Sequence, residues 1–357
     1  MKDNINNGKK KTFSDNPKLS VVMPVFNGEP FLKDAVESIL KQSFKKYEFI
    51  IINDGSTDNT VDIIKSYKDG RIKLIENRNN LGIAKCLNIG FELSKGDYIA
   101  RMDADEISNS ERFEKQLAFL EKNKEVGVCG TLTKTLGKKI EKIWMYPLDH
   151  ERIKANLLFH CCLVHSSVMI RSSIIEDKNI FYSESCPHAE DYELWVRLSR
   201  ITKIANLGEV LTRYRIHNKS IGAMHSTVQK KTANQIRRKQ IEELLRDVSL
   251  EEIKFHNQIS QTDMDVDNEK LKKTCKWFIK LLNANREKEI YQHNVFTEVL
   301  TKRLVKFMRR TKTLSLLTVY DIFRSPFAPY IDIPIVEKIS LFSKIIVNSI
   351  IHDAKRN

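Results

Sequence analysis

The chain has 357 residues, 41% of them apolar, and a formal net charge of +14 from 60 Lys and Arg against 46 Asp and Glu. That is enough chain to bury one large core or two modest ones. Its six cysteines, Cys86, Cys129, Cys161, Cys162, Cys186 and Cys275, contain no Cys-x-x-Cys pair, which excludes a zinc pattern or disulfide framework and points to a reduced cytoplasm.

Residues 1–17 are polar and basic with no apolar h-region of a signal peptide after them, so they read as a disordered tail. Leu19-Ser20-Val21-Val22-Met23-Pro24-Val25-Phe26-Asn27-Gly28 is a short apolar run closed by breakers, the pattern of a buried parallel strand. Residues 30–42 carry Phe31, Leu32, Ala35, Val36, Ile39 and Leu40 at helical spacing. Residues 47–56 predict a second buried strand ending in Asn53-Asp54-Gly55-Ser56, and Ser56-Thr57-Asp58-Asn59 can cap the helix that follows, to about Tyr67. A third strand over 71–75, a loop over 77–82 and a helix over 83–94 lead to a fourth strand before Asp103.

Strands alternating with helices imply a parallel α/β sheet with right-handed crossovers, and such sheets bind ligands outside the carboxyl ends of their strands. Asp54 and the pair Asp103-Ala104-Asp105 fall there. Two carboxylates one residue apart can share a hard divalent cation, with substrate phosphates filling other positions. An isolated Asp-x-Asp is more often a solvated turn, and Asp54 alone fits an Asx-turn; it is the convergence of three carboxylates on one edge that favours a site.

Further along, His165-Ser166-Ser167 precedes another buried strand ending at Arg171, and Glu190-Asp191 precedes Tyr192, Leu194, Trp195 and Leu198 at helical spacing. An acidic pair at a helix start is favoured by the helix dipole whatever its function. The same spacing turns Trp195 toward a core.

Val22-Met23-Pro24-Val25-Phe26-Asn27, Ile52-Asn53-Asp54-Gly55-Ser56-Thr57-Asp58, Asn80-Leu81-Gly82, Gly96-Asp97-Tyr98-Ile99, Asp103-Ala104-Asp105 and Ala189-Glu190-Asp191-Tyr192-Glu193-Leu194-Trp195 together resemble glycosyltransferase family 2, over about residues 18–220. The resemblance implies a GT-A fold, Rossmann-like with a mostly parallel central sheet flanked by helices, and an inverting transferase using a nucleotide sugar. It implies that Pro24, Phe26, Asn27 and Gly82 line the nucleotide site and that Asp54 accepts a hydrogen bond from the base. A carboxylate only accepts and uracil N3–H donates, so UDP is favoured. Lys85 and Arg215 would face phosphate. Asp103 and Asp105 would hold the nucleotide sugar with Mn²⁺ or Mg²⁺, and His217, from the pattern Arg215-x-His217-x-x-Ser220, would complete the metal site or contact the diphosphate. Asp191 would be the general base, with Glu190 orienting it or the acceptor, and His165 would lie on the acceptor side.

Domain boundaries are expected at 18–225 for the catalytic part and 226–357 for an all-helical, basic part. Residues 226–357 hold 25 Lys and Arg against 16 Asp and Glu. Amphipathic stretches there include Ile236, Ile241, Leu244 and Leu245, then Phe296 to Met308, and a last helix over about 334–351. A helical cap with a solvated basic face, attachment to an anionic membrane surface, and a homodimer are the alternatives for it. No run approaches the ~18 apolar residues of a spanning helix. No nucleic-acid motif accompanies the charge, so nucleic acid is not expected as a partner. Neither a P-loop nor the Gln-x-x-Arg-Trp of processive relatives occurs; Gln235-Ile236-Arg237-Arg238-Lys239 lacks the Trp. The expected enzyme is a non-processive glycosyltransferase that adds a sugar to a glycan or polyprenyl-linked glycan, cytoplasmic or peripheral on the inner membrane face. The rival readings are a nucleotidyltransferase and a degenerate nucleotide- or sugar-binding protein.

Overall fold

A computed structural model describes residues 16–137, 139–218, 224–261, 265–311 and 314–332. The chain forms two compact units, one from Met1–Trp144, His165–Tyr182 and Glu209–Ile216, the other from Met145–Val164, Ser183–Gly208 and His217–Asn357.

In the first unit, β1 (Leu19–Val25) and β2 (Tyr47–Asn53) are buried at every residue. That requires cover on both faces, which is why their sequences are continuous apolar runs. β1 pairs in parallel with β2 and with β4 (Tyr98–Arg101), and β2 pairs in parallel with β3 (Ile72–Glu76). The crossovers are α1 (Leu32–Leu40), α2 (Thr60–Ser66) and α3 (Ile83–Leu93). α1 buries Leu32, Ala35, Val36 and Ile39, the stripe that its spacing predicts. Gly90 lets α3 close on β1, since a Cβ there would run into the Val22 side chain. α2 starts with Asn59 at its N-cap, but the bond to the Thr60 N–H comes from Asp58 Oδ1 at 3.1 Å, not from Asn59.

Past β4 the pairing changes. β5 (Ile107–Ser108), α4 (Arg112–Lys122), β6 (Val126–Leu136), β7 (Ile143–Trp144), β8 (Met169–Arg171), α6 (Ser172–Lys178) and the last part of β9 (Lys203–Arg215) follow. β4 and β6 both pair antiparallel with β8, and β5 with β9, giving the order β3-β2-β1-β4-β8-β6-β9-β5. The alternating βα pattern thus holds for the first four strands, and an antiparallel extension completes the sheet.

The second unit is helical: α5 (His150–Leu157), α7 (Glu190–Leu198), α8 (Ser226–Leu244), α9 (Leu250–Ser260), α10 (Asn268–Lys288), α11 (His293–Arg310) and α12 (Leu316–Phe323). Its core joins Phe278, Leu281, Phe296 and Leu300 to Ala155, Leu158 and Phe159. The carbonyls that α5 leaves without helical partners are satisfied by side chains from three other helices. Tyr192 Oη and Gln240 Nε2 donate to Leu157 O at 2.5 and 3.0 Å, His256 Nε2 lies 2.9 Å from Leu158 O, and Arg237 Nη1 donates to Phe159 O at 3.1 Å. Residues 145–164 and 183–208, grouped by sequence pattern with the residues before 225, therefore pack with the C-terminal helices. Most of the basic tail and the expected helix over 334–351 lie outside the described residues, as does Ser220. Among the described residues no helix is long and apolar enough to cross a membrane.

Candidate active site

At the carboxyl end of β4 the chain turns through Asp103-Ala104-Asp105-Glu106 into β5. The turn is anchored by Met102 N–H on Val22 O and Arg101 N–H on Val168 O, both at 3.0 Å. The buried Arg101 guanidinium pairs with the Asp103 carboxylate. Carboxylate oxygens of Asp103, Asp105 and Glu106 all lie within 4.8 Å of one another. Glu106 is buried and accepts a hydrogen bond from Ser166 Oγ. Burial, then Asp103 and Asp105, push its carboxyl well above the ordinary value. Three crowded carboxylates repel one another, and a hard divalent cation relieves that repulsion while taking oxygen ligands, so the residues present fit Mn²⁺ or Mg²⁺. Sequence reasoning missed Glu106. Its signal was there, directly after the Asp-x-Asp, but its bond to the distant Ser166 leaves no local trace.

Arg215, near the end of β9, braces this turn. Its Nε donates to Asp105 O at 2.9 Å, its Nη2 to Asp34 Oδ2 at 2.9 Å, and its guanidinium sits 4.6 Å over the Phe31 ring. The group expected to grip phosphate also holds the backbone of the acidic turn. Tyr214 packs at a tilt against Trp144, ring centroids 4.8 Å apart, and burial together with Glu106 and Asp103 pushes its phenol up.

The ends of β1 and β2 form a second group. Pro24 lies two residues past the last β1–β4 pair, Val22–Arg101, so its missing N–H costs no bond to β4. Phe26 is 50% exposed. Asn27 adopts φ 50°, and its Oδ1 accepts from Thr57 N at 2.8 Å while its own N–H donates to Ser56 Oγ at 2.9 Å. Asp54 is buried and clamps the 77–82 loop: Oδ1 accepts from Asn77 Nδ2 at 3.0 Å and Leu81 N at 2.8 Å, and Oδ2 from Gly82 N at 2.9 Å. Gly55, at φ 71°, packs where a Cβ would meet the Asn79 backbone at 2.9 Å. Gly82, the N-cap of α3, is half-buried, and Lys85 one turn on is exposed, with no ion pair among the described residues. His165 Nε2 lies 2.8 Å from Tyr182 Oη, and burial, then Arg101, hold its imidazole well below the ordinary value, hence neutral.

In the second unit, Glu190 and Asp191 open α7. Glu190 is buried. Asp191 is half-buried, its Oδ1 accepting from Tyr192 N at 2.7 Å and its Oδ2 lying 4.0 Å from Cys161 Sγ. Burial, then Asp191, raise the Cys161 thiol. Trp195 is buried in the core, as its spacing predicts. His217 is half-buried in the same unit. The structure brings Asp54, Asp103, Asp105, Arg215 and His165 into the first unit, and Glu190, Asp191 and His217 into the second.

The family model described as glycosyl transferase family 2 matches residues 20–177. An uncharacterised glycosyltransferase of Haemophilus influenzae is 34% identical over 261 residues, which cover 68% of this chain and 79% of the relative. This chain belongs to glycosyltransferase family 2. An uncharacterised glycosyltransferase of Methanocaldococcus jannaschii is 33% identical over 213 residues, 57% of this chain and 73% of the relative. Among solved structures, S. aureus TarS 1–349 in complex with UDP has a TM-score of 0.53 at 17% identity, covering 81% of this chain and 89% of that one. The mannosyltransferase PcManGT from Pyrobaculum calidifontis in complex with GDP-Man and Mn²⁺ has a TM-score of 0.51 at 14% identity, covering 94% and 88%. At these identities the likeness is one of fold, and it is the GT-A fold that this family 2 glycosyltransferase shares with them.

Proposed function

We propose that this glycosyltransferase moves a sugar, of the hexosyl or N-acetylhexosaminyl type, from a nucleoside-diphosphate sugar to a hydroxyl of a glycan or polyprenyl-linked glycan. The transfer is one inverting displacement without processive extension, and UDP is the favoured nucleotide. The observation that carries the reading is the Asp103–Asp105–Glu106 cluster at the carboxyl edge of the parallel strands. Solved structures of like fold support the donor class: TarS in complex with UDP-GlcNAc, and PcManGT with GDP-Man and Mn²⁺.

In this reading Asp103, Asp105 and Glu106 hold the cation, which when bound supplies Lewis-acid neutralisation of the diphosphate. Arg215 keeps the Asp105 backbone in register for that task. Asp54 holds the 77–82 loop, and with Pro24, Phe26, Asn27, Gly82 and Lys85 it forms the nucleotide side. Asp191 takes the proton of the acceptor hydroxyl as its oxygen attacks the anomeric carbon, and Glu190 orients it. His165 serves the acceptor side and His217 the metal or diphosphate. A catalytic part over 18–225, a cytoplasmic setting, contact with an anionic membrane surface and a homodimer belong to the same proposal, on charge and pattern alone.

Calorimetric titration with UDP, GDP, CDP and dTDP, each with and without Mn²⁺, tests the donor site on wild type and Asp105→Ala. Metal-dependent binding of one diphosphate, lost in the variant, is expected. Binding of none of them in the presence of metal would sink the proposal.

A further inference from the structure

The helical unit holds a cavity of about 430 Å³ whose lining includes Arg152, Lys302, Arg303, Lys306 and Arg310 and, among the described residues, no carboxylate. Glu298, outside the lining, pairs with Arg152 and Lys302, each at 2.7 Å. Arg303 and Arg310 have no carboxylate partner among the described residues. The Arg303 guanidinium lies 3.9 Å over the Phe159 ring, and its Nη2 donates to His160 Nδ1 at 2.5 Å. Its Nε is buried with no hydrogen-bond partner among the described residues. A buried N–H of a cation without an acceptor is costly, and an anion would relieve that cost.

The surroundings add to this. His160, also in the lining, is pushed down to about 3 by burial and then by Arg303, Lys306 and Arg237. It is therefore neutral at pH 7. The rest of the wall mixes Asn156, Ser260 and Gln261 with the apolar Met145, Pro147, Ile259, Val299 and Phe307. Cations beside apolar side chains suit a phosphate group carried on an apolar body.

We infer that this cavity is an anion site of the helical unit that binds a phosphate or diphosphate group, with Arg303 at its base and Lys306 and Arg310 at its rim. It is separate from the donor chemistry of the acidic turn and does not depend on it. Two sources share the chemistry, a lipid-linked phosphate and a free polyphosphate, and the apolar residues of the wall favour the first.

The test is calorimetric titration of the full chain with inorganic pyrophosphate and with farnesyl diphosphate. EDTA is present throughout, so that a metal-dependent diphosphate site contributes nothing. Lys306 and Arg310 are exposed, so Lys306→Glu/Arg310→Glu leaves the core untouched, and an unchanged melting transition verifies that. Expected is saturable one-site binding to wild type, weakened at least tenfold in the double variant. Tighter binding of farnesyl diphosphate than of pyrophosphate supports the site with a lipid-linked source, and equal affinity supports it with a free one. Absence of binding at millimolar ligand, or binding that the double charge reversal leaves unchanged, overturns the inference.

Discussion

Arg215 Nε donates to the backbone carbonyl of Asp105 at 2.9 Å across 110 residues of sequence. The same guanidinium reaches Asp34 and covers Phe31, so one side chain ties the end of β9 to the acidic turn and to α1.

Arg215→Met removes the charged donor and keeps most of the stem. The supporting bonds around a metal site are typically worth 10–100-fold in metal affinity. Mn²⁺ affinity, followed by competition for the bound ion, is expected to fall by about tenfold or more while the melting temperature shifts little. Unchanged Mn²⁺ affinity would show that the turn holds its own shape.

Asp191→Asn is nearly isosteric and keeps an acceptor for Tyr192 N–H, but it cannot take a proton. Turnover should fall at least ~10²-fold, the scale of a lost general base. Nucleotide binding should persist, because Asp54 and the Asp103–Asp105–Glu106 cluster are intact. Single-turnover transfer and calorimetry together check this, and near wild-type transfer by the variant would remove Asp191 from the base role.

Asp54→Asn replaces one acceptor oxygen with an NH₂ that faces N–H donors. Either Gly82 N or the pair Leu81 N and Asn77 Nδ2 loses its acceptor. An unmade buried bond costs about 1–3 kcal/mol. A lower denaturation midpoint at unchanged slope is expected, with weaker diphosphate binding as the 77–82 loop loosens. A stable variant with normal binding would show that the loop does not need the clamp.

Glu48 gives a pH dependence whose sign follows from its partners. Burial raises its carboxyl, but Lys73 Nζ, Ser20 Oγ and Lys95 N, at 2.5, 2.5 and 2.7 Å, outweigh that and hold it below its ordinary value of 4.5. A depressed folded-state value means that the unfolded chain binds the proton first as pH falls. The stabilisation is complete above the ordinary value and drains away below it, through the folded value. Glu48→Gln should therefore flatten the loss of stability below about pH 4.5 and lower the plateau above it. Parallel pH–melting curves for wild type and variant would refute the assignment.

The sequence by itself determined the first four strands, their crossover helices and the acidic edge. Strands covered on both faces need unbroken apolar runs, and helices on a sheet need a stripe, so each leaves a local periodicity. Asp54 and the Asp103/Asp105 pair were legible for the same reason, because they stand where those runs end. The tertiary structure alone decided that Glu106 joins the acidic pair beneath Ser166 and that Arg215 braces the Asp105 backbone. It also decided that Asp54 spends its oxygens on the 77–82 loop and that residues 145–164 share a core with the C-terminal helices. Each of these is a contact between groups far apart along the chain. Its free energy depends on the distance and burial that packing creates, and no local spacing of residue types records either.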